Sequence, residues 1–245
     1  MQSSSHSKGI ATLFEHLSSL KDRRVVGRCD YPLQSVVIIG LLGVLCGAEG
    51  WVDLSVFARS KYDWLRSFLD LPPEPPKEGV FRRVFSSLRP AAFESCFRAL
   101  AHTLAEALEG QVVAFDGKAL RGALRKAFKG GSLHQVHAWV GAQRLMLARE
   151  VGSMAPTVRA HAKVIREHWG VENGLHWVLD VQMREDECPI RDENGASNFA
   201  ALRRFALTLI KRDKSVRQGT RGKQKEAGWN NDYLLHLLSL ATPEN

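Results

Sequence analysis

Asp116 closes a short β-prone run, Gln111 to Phe115, and is followed by Gly117 and Lys118. A carboxylate at a strand end, facing a cleft, presents a hard oxygen ligand of the kind Mg²⁺ takes. The plainer alternative is a turn aspartate in an Asp-Gly pair. From Gly117 to Arg149 the chain has no acidic residue, while Lys118, Arg121, Arg125, Lys126, Lys129, Arg144 and Arg149 supply positive charge. One carboxylate beside such a basic arm suits a phosphate backbone laid over a metal site. The competing reading is a solvated loop whose charges do nothing specific.

A second constellation runs from His168 to Asp180. On a helix, His168, Glu172, His176 and Asp180 fall on one face at four-residue steps, while Trp169, Leu175 and Leu179 turn towards a core. Gly170 and Gly174 weaken that helix. A transition-metal site there needs further ligands, and a polar cover for one helix face is the other option. His134 and His137 stand at odd spacing on a strand candidate, on opposite faces, which argues against a shared metal. The third feature is the tract Lys211 to Lys225, with seven basic residues against the single acid Asp213. Lacking an apolar period, it cannot fold alone, and Lys211, Arg212, Arg217 and Arg221 would track phosphates if DNA lies near; a surface loop is the plainer alternative.

These residues need elements to hold them. From Ile10 to Leu108 apolar residues recur at three- and four-residue spacing: Ile10, Leu13, Phe14, Leu17 and Leu20; Trp51, Leu54 and Phe57; Phe93, Cys96, Phe97, Leu100 and Leu104. Amphipathic helices sharing one core are expected there. The run Pro72 to Pro76 must be an extended connector, and Pro90 suits the first turn of a helix. After Gly110 the pattern becomes strand-like at Gln111 to Phe115, Leu133 to Val140 and Leu145 to Val151. The helical period returns from Thr157 to Leu179. Arg184 to Gly195 reads as a loop, Phe199, Leu202, Ala206, Leu209 and Ile210 mark another helix, and Trp229 to Leu240 a last short one.

The expected fold class is therefore α+β, with a helical domain over residues 10–109 and a second domain over 110–245. At 245 residues, 44% hydrophobic and 24% charged, the chain has the composition of a globular protein. A formal charge of +8 points to a polyanionic partner, nucleic acid first among them. Cys29, Cys46, Cys96 and Cys188 form no C-x-x-C pair and are expected as free thiols in a reducing cytoplasm. Val36 to Ala48 is apolar but shorter than the roughly 18 residues of a membrane span, so it is expected as a buried helix.

Three blocks carry a resemblance to a known family. Val113 to Gly122, Arg166 to Asp180 and Ala227-Gly228-Trp229 resemble the H-repeat-associated branch of the DDE transposases of bacterial insertion sequences. Tyr31-Pro32-Leu33, Cys46-Gly47-Ala48 and Phe81-Arg82-Arg83-Val84-Phe85 resemble that branch's associated N-terminal helical domain. The resemblance implies a ribonuclease-H-like second domain in which two aspartates and a glutamate hold divalent metal, Mg²⁺ or Mn²⁺. It aligns Asp116 with the first aspartate and Glu172 with the glutamate, as catalytic and metal-binding residues. One ion would activate the attacking oxygen and the other stabilise the leaving oxygen.

The chain departs from that family between its two carboxylates. Between Asp116 and Glu172 the acids are Glu150 and Glu167, neither in the motif of the family's second aspartate, and Val151 to Thr157 joins two flanks that relatives separate by a long stretch. An internal deletion near 151–157 follows, which would leave the ribonuclease-H-like domain incomplete and strand edges unpaired. The expected function is a DNA transposase that has lost most or all strand cleavage, with insertion-sequence ends as partner, self-association left open, and neither a membrane nor a small-molecule substrate. The rival from another class is a non-catalytic DNA-binding protein that recognises element ends or interferes with an intact transposase. A decayed reading frame without function is the third option.

Overall fold

The apolar run 36–48 does form a buried helix. In the computed structural model, which describes residues 2–25, 27, 29–104, 113–119, 134–140, 145–148 and 177–242, α2 (Leu33–Leu45) buries every residue except Gln34. Pro32 occupies its N-cap position and accepts the Val36 N–H at 3.1 Å. At the other end Gly47 takes a positive φ of 93°. The Ala48 N–H then reaches back to the Gly43 carbonyl at 2.9 Å and the Gly47 N–H to the Val44 carbonyl at 3.0 Å. That is a Schellman stop, which satisfies carbonyls the helix would leave orphaned. Two of the motifs singled out from the sequence, Tyr31-Pro32-Leu33 and Cys46-Gly47-Ala48, thus start and end one core helix.

Around α2 lie α1 (Gln2–Leu17), α3 (Trp51–Ser60), α4 (Tyr62–Arg66), α5 (Glu78–Ser87) and α6 (Pro90–Leu104). Pro90 opens α6, and residues 70–77 form the irregular connector that the prolines demand. The Tyr62 hydroxyl is hydrogen-bonded to the carbonyls of Pro72 and Glu74, and the Tyr31 hydroxyl donates to Glu74 O at 2.9 Å. Two tyrosines therefore pin a segment whose prolines supply no N–H of their own.

After a π-helical turn (Val178–Gln182) and an irregular stretch, α7 (Glu193–Arg212) runs through the middle of the molecule. Its N-cap Asp192 accepts the Gly195 N–H at 2.6 Å. Phe199, Leu202, Phe205, Leu209 and Ile210 are buried, and so are Arg203 and Arg204. The helix packs on α2, α5 and α6. Trp51 of α3 stacks on Phe85 of α5 at 5.2 Å between centroids and meets Phe199 edge-on at 5.1 Å. The series continues through Phe93 and Phe97 of α6 to Phe205 of α7. Asn198, fully buried, donates to the Phe85 and Leu88 carbonyls at 2.7 and 3.1 Å and so closes the C-terminal end of α5. Arg203 places its guanidinium 4.5 Å from the Phe199 ring centroid and donates to Glu49 O at 2.9 Å. The last helices are α8 (Thr220–Trp229) and α9 (Asn231–Ser239). α9 packs against α1, where a Cβ on Gly9 would come within 2.6 Å of the Leu238 carbonyl.

Between the two helical stretches lie β1 (Val113–Ala119), β2 (His134–Val140) and β3 (Leu145–Ala148), antiparallel and in the order β1-β2-β3. These strands do not rescue the expected fold class. An α+β molecule with an incomplete ribonuclease-H-like domain needs a sheet that organises a core of its own. Among the described residues the sheet has three short antiparallel strands, too few for that. Among the described residues the buried core is a single helical cluster that draws residues from 13–104 and from 178–241 together. The described chain is helical in class, and the ribonuclease-H-like expectation is corrected accordingly. The alternative of a surface loop over the whole basic tract does not hold either, because α8 occupies its second half.

Candidate nucleic-acid interface

The basic tract folds around one carboxylate. Asp213, just past the end of α7, has a side chain with no solvent exposure, and five groups converge on it. The Lys223 ammonium lies 2.9 Å from Oδ2, the Tyr233 hydroxyl donates to Oδ2 at 2.8 Å, and His236 Nε2 stands 3.2 Å from Oδ1. The Ser215 N–H and hydroxyl donate to Oδ1 at 2.9 and 2.6 Å. Burial works against the charge, but the hydrogen bonds from Ser215, Lys223 and Tyr233 outweigh it and hold the carboxyl well below the usual carboxylate range. Burial together with the Asp213 hydrogen bond pushes the Tyr233 phenol up, keeping it a donor.

Lys223 also donates to the Ile210 carbonyl at 3.1 Å and to the Asp213 carbonyl, and Gln224 Nε2 donates to the Val44 carbonyl at 3.2 Å. The inward residues of α8 are Thr220, Lys223, Gln224 and Ala227, spaced as a helix requires but mostly polar. The outward residues Arg221, Lys225 and Trp229 are exposed, as are Lys214 and Arg217 in the preceding turn. A buried acid thus fixes a turn and a helix that present cations to solvent, an arrangement that suits a phosphate backbone.

The expected site residues are distributed as follows. Lys211 and Arg212 are half-buried in the last turn of α7, and Arg212 Nη1 donates to the Leu104 carbonyl at 2.9 Å, tying α7 to α6. Arg217, in the turn before α8, and Arg221, in its first turn, are exposed. Asp116 and Lys118 lie inside β1, where Asp116 is opposite His137 and Lys118 opposite Gln135. Asp116 is therefore a mid-strand residue, and the strand runs past it to Ala119. Arg121, Arg125, Lys126 and Glu172 lie outside the described residues. Among the described residues no group of three or more histidine, cysteine or acidic side chains gathers, so they do not by themselves make up a metal site. No described helix is long and apolar enough to cross a membrane, and all four cysteines are free.

The sequence reading named the basic tract and the Ala227-Gly228-Trp229 motif separately. The structure puts them on one helix, and the four-residue spacing of Arg221, Lys225 and Trp229 was the signal that could have joined them.

Residues 14–101 match a family model described as DDE_Tnp_1-associated, and residues 94–209 match one described as Transposase DDE domain. Similar proteins include the "H repeat-associated putative transposase YhhI" of Escherichia coli K12, 21% identical over an aligned length of 368 that takes in 93% of this chain and 97% of that protein. The "Inactive transposase YbfQ" of the same strain is 30% identical over 74 residues, 30% of this chain and 88% of that protein. The "Uncharacterized protein in dhlA 3'region" of Xanthobacter autotrophicus is 36% identical over 130 residues, 52% of this chain and 43% of that protein. No solved structure matches the chain. The aligned length with the first relative exceeds the 245 residues of this chain by 123.

Proposed function

We propose that this chain, which belongs to the DDE transposase family in its H repeat-associated branch, is an internally shortened transposase that keeps DNA binding and has lost efficient strand cleavage. The observation that carries this reading is the alignment that runs nearly end to end on both proteins yet is far longer than the chain. Matter is missing from the inside, and the acid-poor interval between Asp116 and Glu172 is where the second aspartate would be expected.

Members of the family use divalent metal ions. Asp116 and Glu172 are the carboxylates assigned here to such an ion, Mg²⁺ or Mn²⁺, which when bound would supply Lewis-acid stabilisation of a phosphoryl oxygen. Two carboxylates without a third leave the donor set short, which is the reason for assigning cleavage a low or absent rate. Lys118, Arg121, Arg125, Lys126, Lys211, Arg217 and Arg221 are assigned to phosphates, whose contacts fix position without reading sequence. Arg212 is assigned a lesser part, since its guanidinium already holds α6 to α7.

The test uses purified full-length chain, end DNA of the element and a random duplex of the same length, over a salt series with and without Mg²⁺. The expected result is binding that weakens steeply with salt, tighter on end DNA, and no nicking. Mg²⁺-dependent nicking that Asp116→Ala abolishes would overturn the loss of cleavage. Equal affinity for both duplexes would overturn end recognition.

A further inference from the structure

The solvent face of α8 joins two cations and an indole in one line. Arg221, Lys225 and Trp229 follow each other at four-residue steps, all exposed, with Trp229 at 81%. We propose that this stripe is a docking surface for unpaired nucleotides at a DNA end, with Arg221 and Lys225 on phosphates and Trp229 stacked on a base. The inference rests on the DNA-binding reading above and adds the state of the strand that is bound.

Four observations carry it. An indole this exposed forgoes the burial that makes tryptophan favourable in a fold, and a flat aromatic face beside cations is the composition of a single-strand platform. Four helical residues advance about 6 Å, so the stripe is about 12 Å long, which corresponds to roughly three or four nucleotides at ~3.4 Å each. Among the described residues neither cation forms an ion pair: Glu226, half-buried, acts on Tyr233 and so belongs to the Asp213 side, leaving Asp232 in the first turn of α9 as the exposed acid next in sequence. Finally, α8 is held from behind by Lys223 and Gln224, so the platform is in place before any ligand arrives. An intact duplex keeps its base faces stacked inside and offers Trp229 nothing to cover, whereas an unpaired base does. Two positive charges in three positions favour a polyanion over an apolar protein partner.

The experiment is fluorescence anisotropy of the full chain with a blunt duplex, the same duplex carrying a short single-stranded tail, and the single strand alone. Trp229→Ala is expected to weaken binding to the tailed duplex and the single strand about tenfold while leaving the blunt duplex unchanged, and Trp229→Phe to keep most of the affinity. Arg221→Gln and Lys225→Gln are each expected to lower the salt slope on the single strand by about 0.7. Equal effects of Trp229→Ala on all three DNAs, or none on any, would overturn the proposal. Binding of blunt DNA with no gain from the tail would sink this inference alone, and failure to bind any of the three would sink the DNA-binding reading with it.

Discussion

Asp213 is the residue on which the basic end of the chain depends. Its folded-state acidity is stronger than in an unfolded chain, where an aspartate titrates near pH 4. The unfolded state therefore binds the proton first as pH falls, so the stabilisation from this group is fully present above about pH 5 and fades below about pH 4. Asp213→Asn is expected to cost about 3–5 kcal/mol at neutral pH, because it leaves the buried ammonium of Lys223 with two carbonyls but no counter-charge. In urea titrations the gap between wild type and variant should narrow steadily from about pH 4 downward; a gap that stays constant would mean the carboxyl binds its proton equally in the folded and unfolded chain. The thiols give an independent check at the same scale. Burial pushes Cys46 up to about 12 and Cys96 up to about 11, while Cys29 is exposed. A thiol reagent should label Cys29 first in the native protein, Cys46 far more slowly, and Cys96 only as the chain unfolds.

Among the elements, Gly47 and Gly228 make a matched pair. Neither has an atom within 4 Å of the Cβ it lacks, so crowding is not an issue at either, but Gly47 has φ +93° and Gly228 is inside α8. Gly47→Ala should destabilise by about 1–2 kcal/mol, whereas Gly228→Ala should stabilise by about 0.4–1 kcal/mol through the unfolded state. The same sign in both would show that the Schellman stop of α2 is not held as described. These elements also show what a sequence pattern can reveal. α2, α6 and α7 were legible because apolar side chains do their packing: Val36 to Leu45, Phe93 to Leu104, Phe199 to Ile210. α8 was not, because its inward face is Thr220, Lys223 and Gln224, which anchor through hydrogen bonds to carbonyls and one acid. A hydrophobic period cannot register an anchor made of polar groups. The strand at Asp116 was visible from its β-prone run, but its extent was not, since Gly117 and Lys118 read as a turn while pairing carries β1 on to Ala119.

For the whole molecule, the chief fact is that helices from both ends of the chain share one core. Phe199, Leu202, Phe205, Leu209 and Ile210 bring α7 into contact with α2, α5 and α6, and burying five such side chains contributes roughly 7–15 kcal/mol. That is as large as the net stability of a typical domain. A fragment ending at residue 110 should therefore show no cooperative unfolding transition and should bind hydrophobic dyes, and adding residues 177–245 as a separate chain should restore at least part of the transition. A sharp two-state transition of the fragment alone, equal to that of the full chain, would refute a shared core. The same arrangement governs how the protein is made. α1 to α6 leave the ribosome with the place of α7 still open, and at about 5–20 residues per second the missing helix follows only several seconds later. During that interval the apolar faces of α2, α5 and α6 are without cover, so the nascent chain is exposed to aggregation and to chaperone capture. Slowing translation downstream of α6 should lower soluble yield even though it changes no residue of the finished protein.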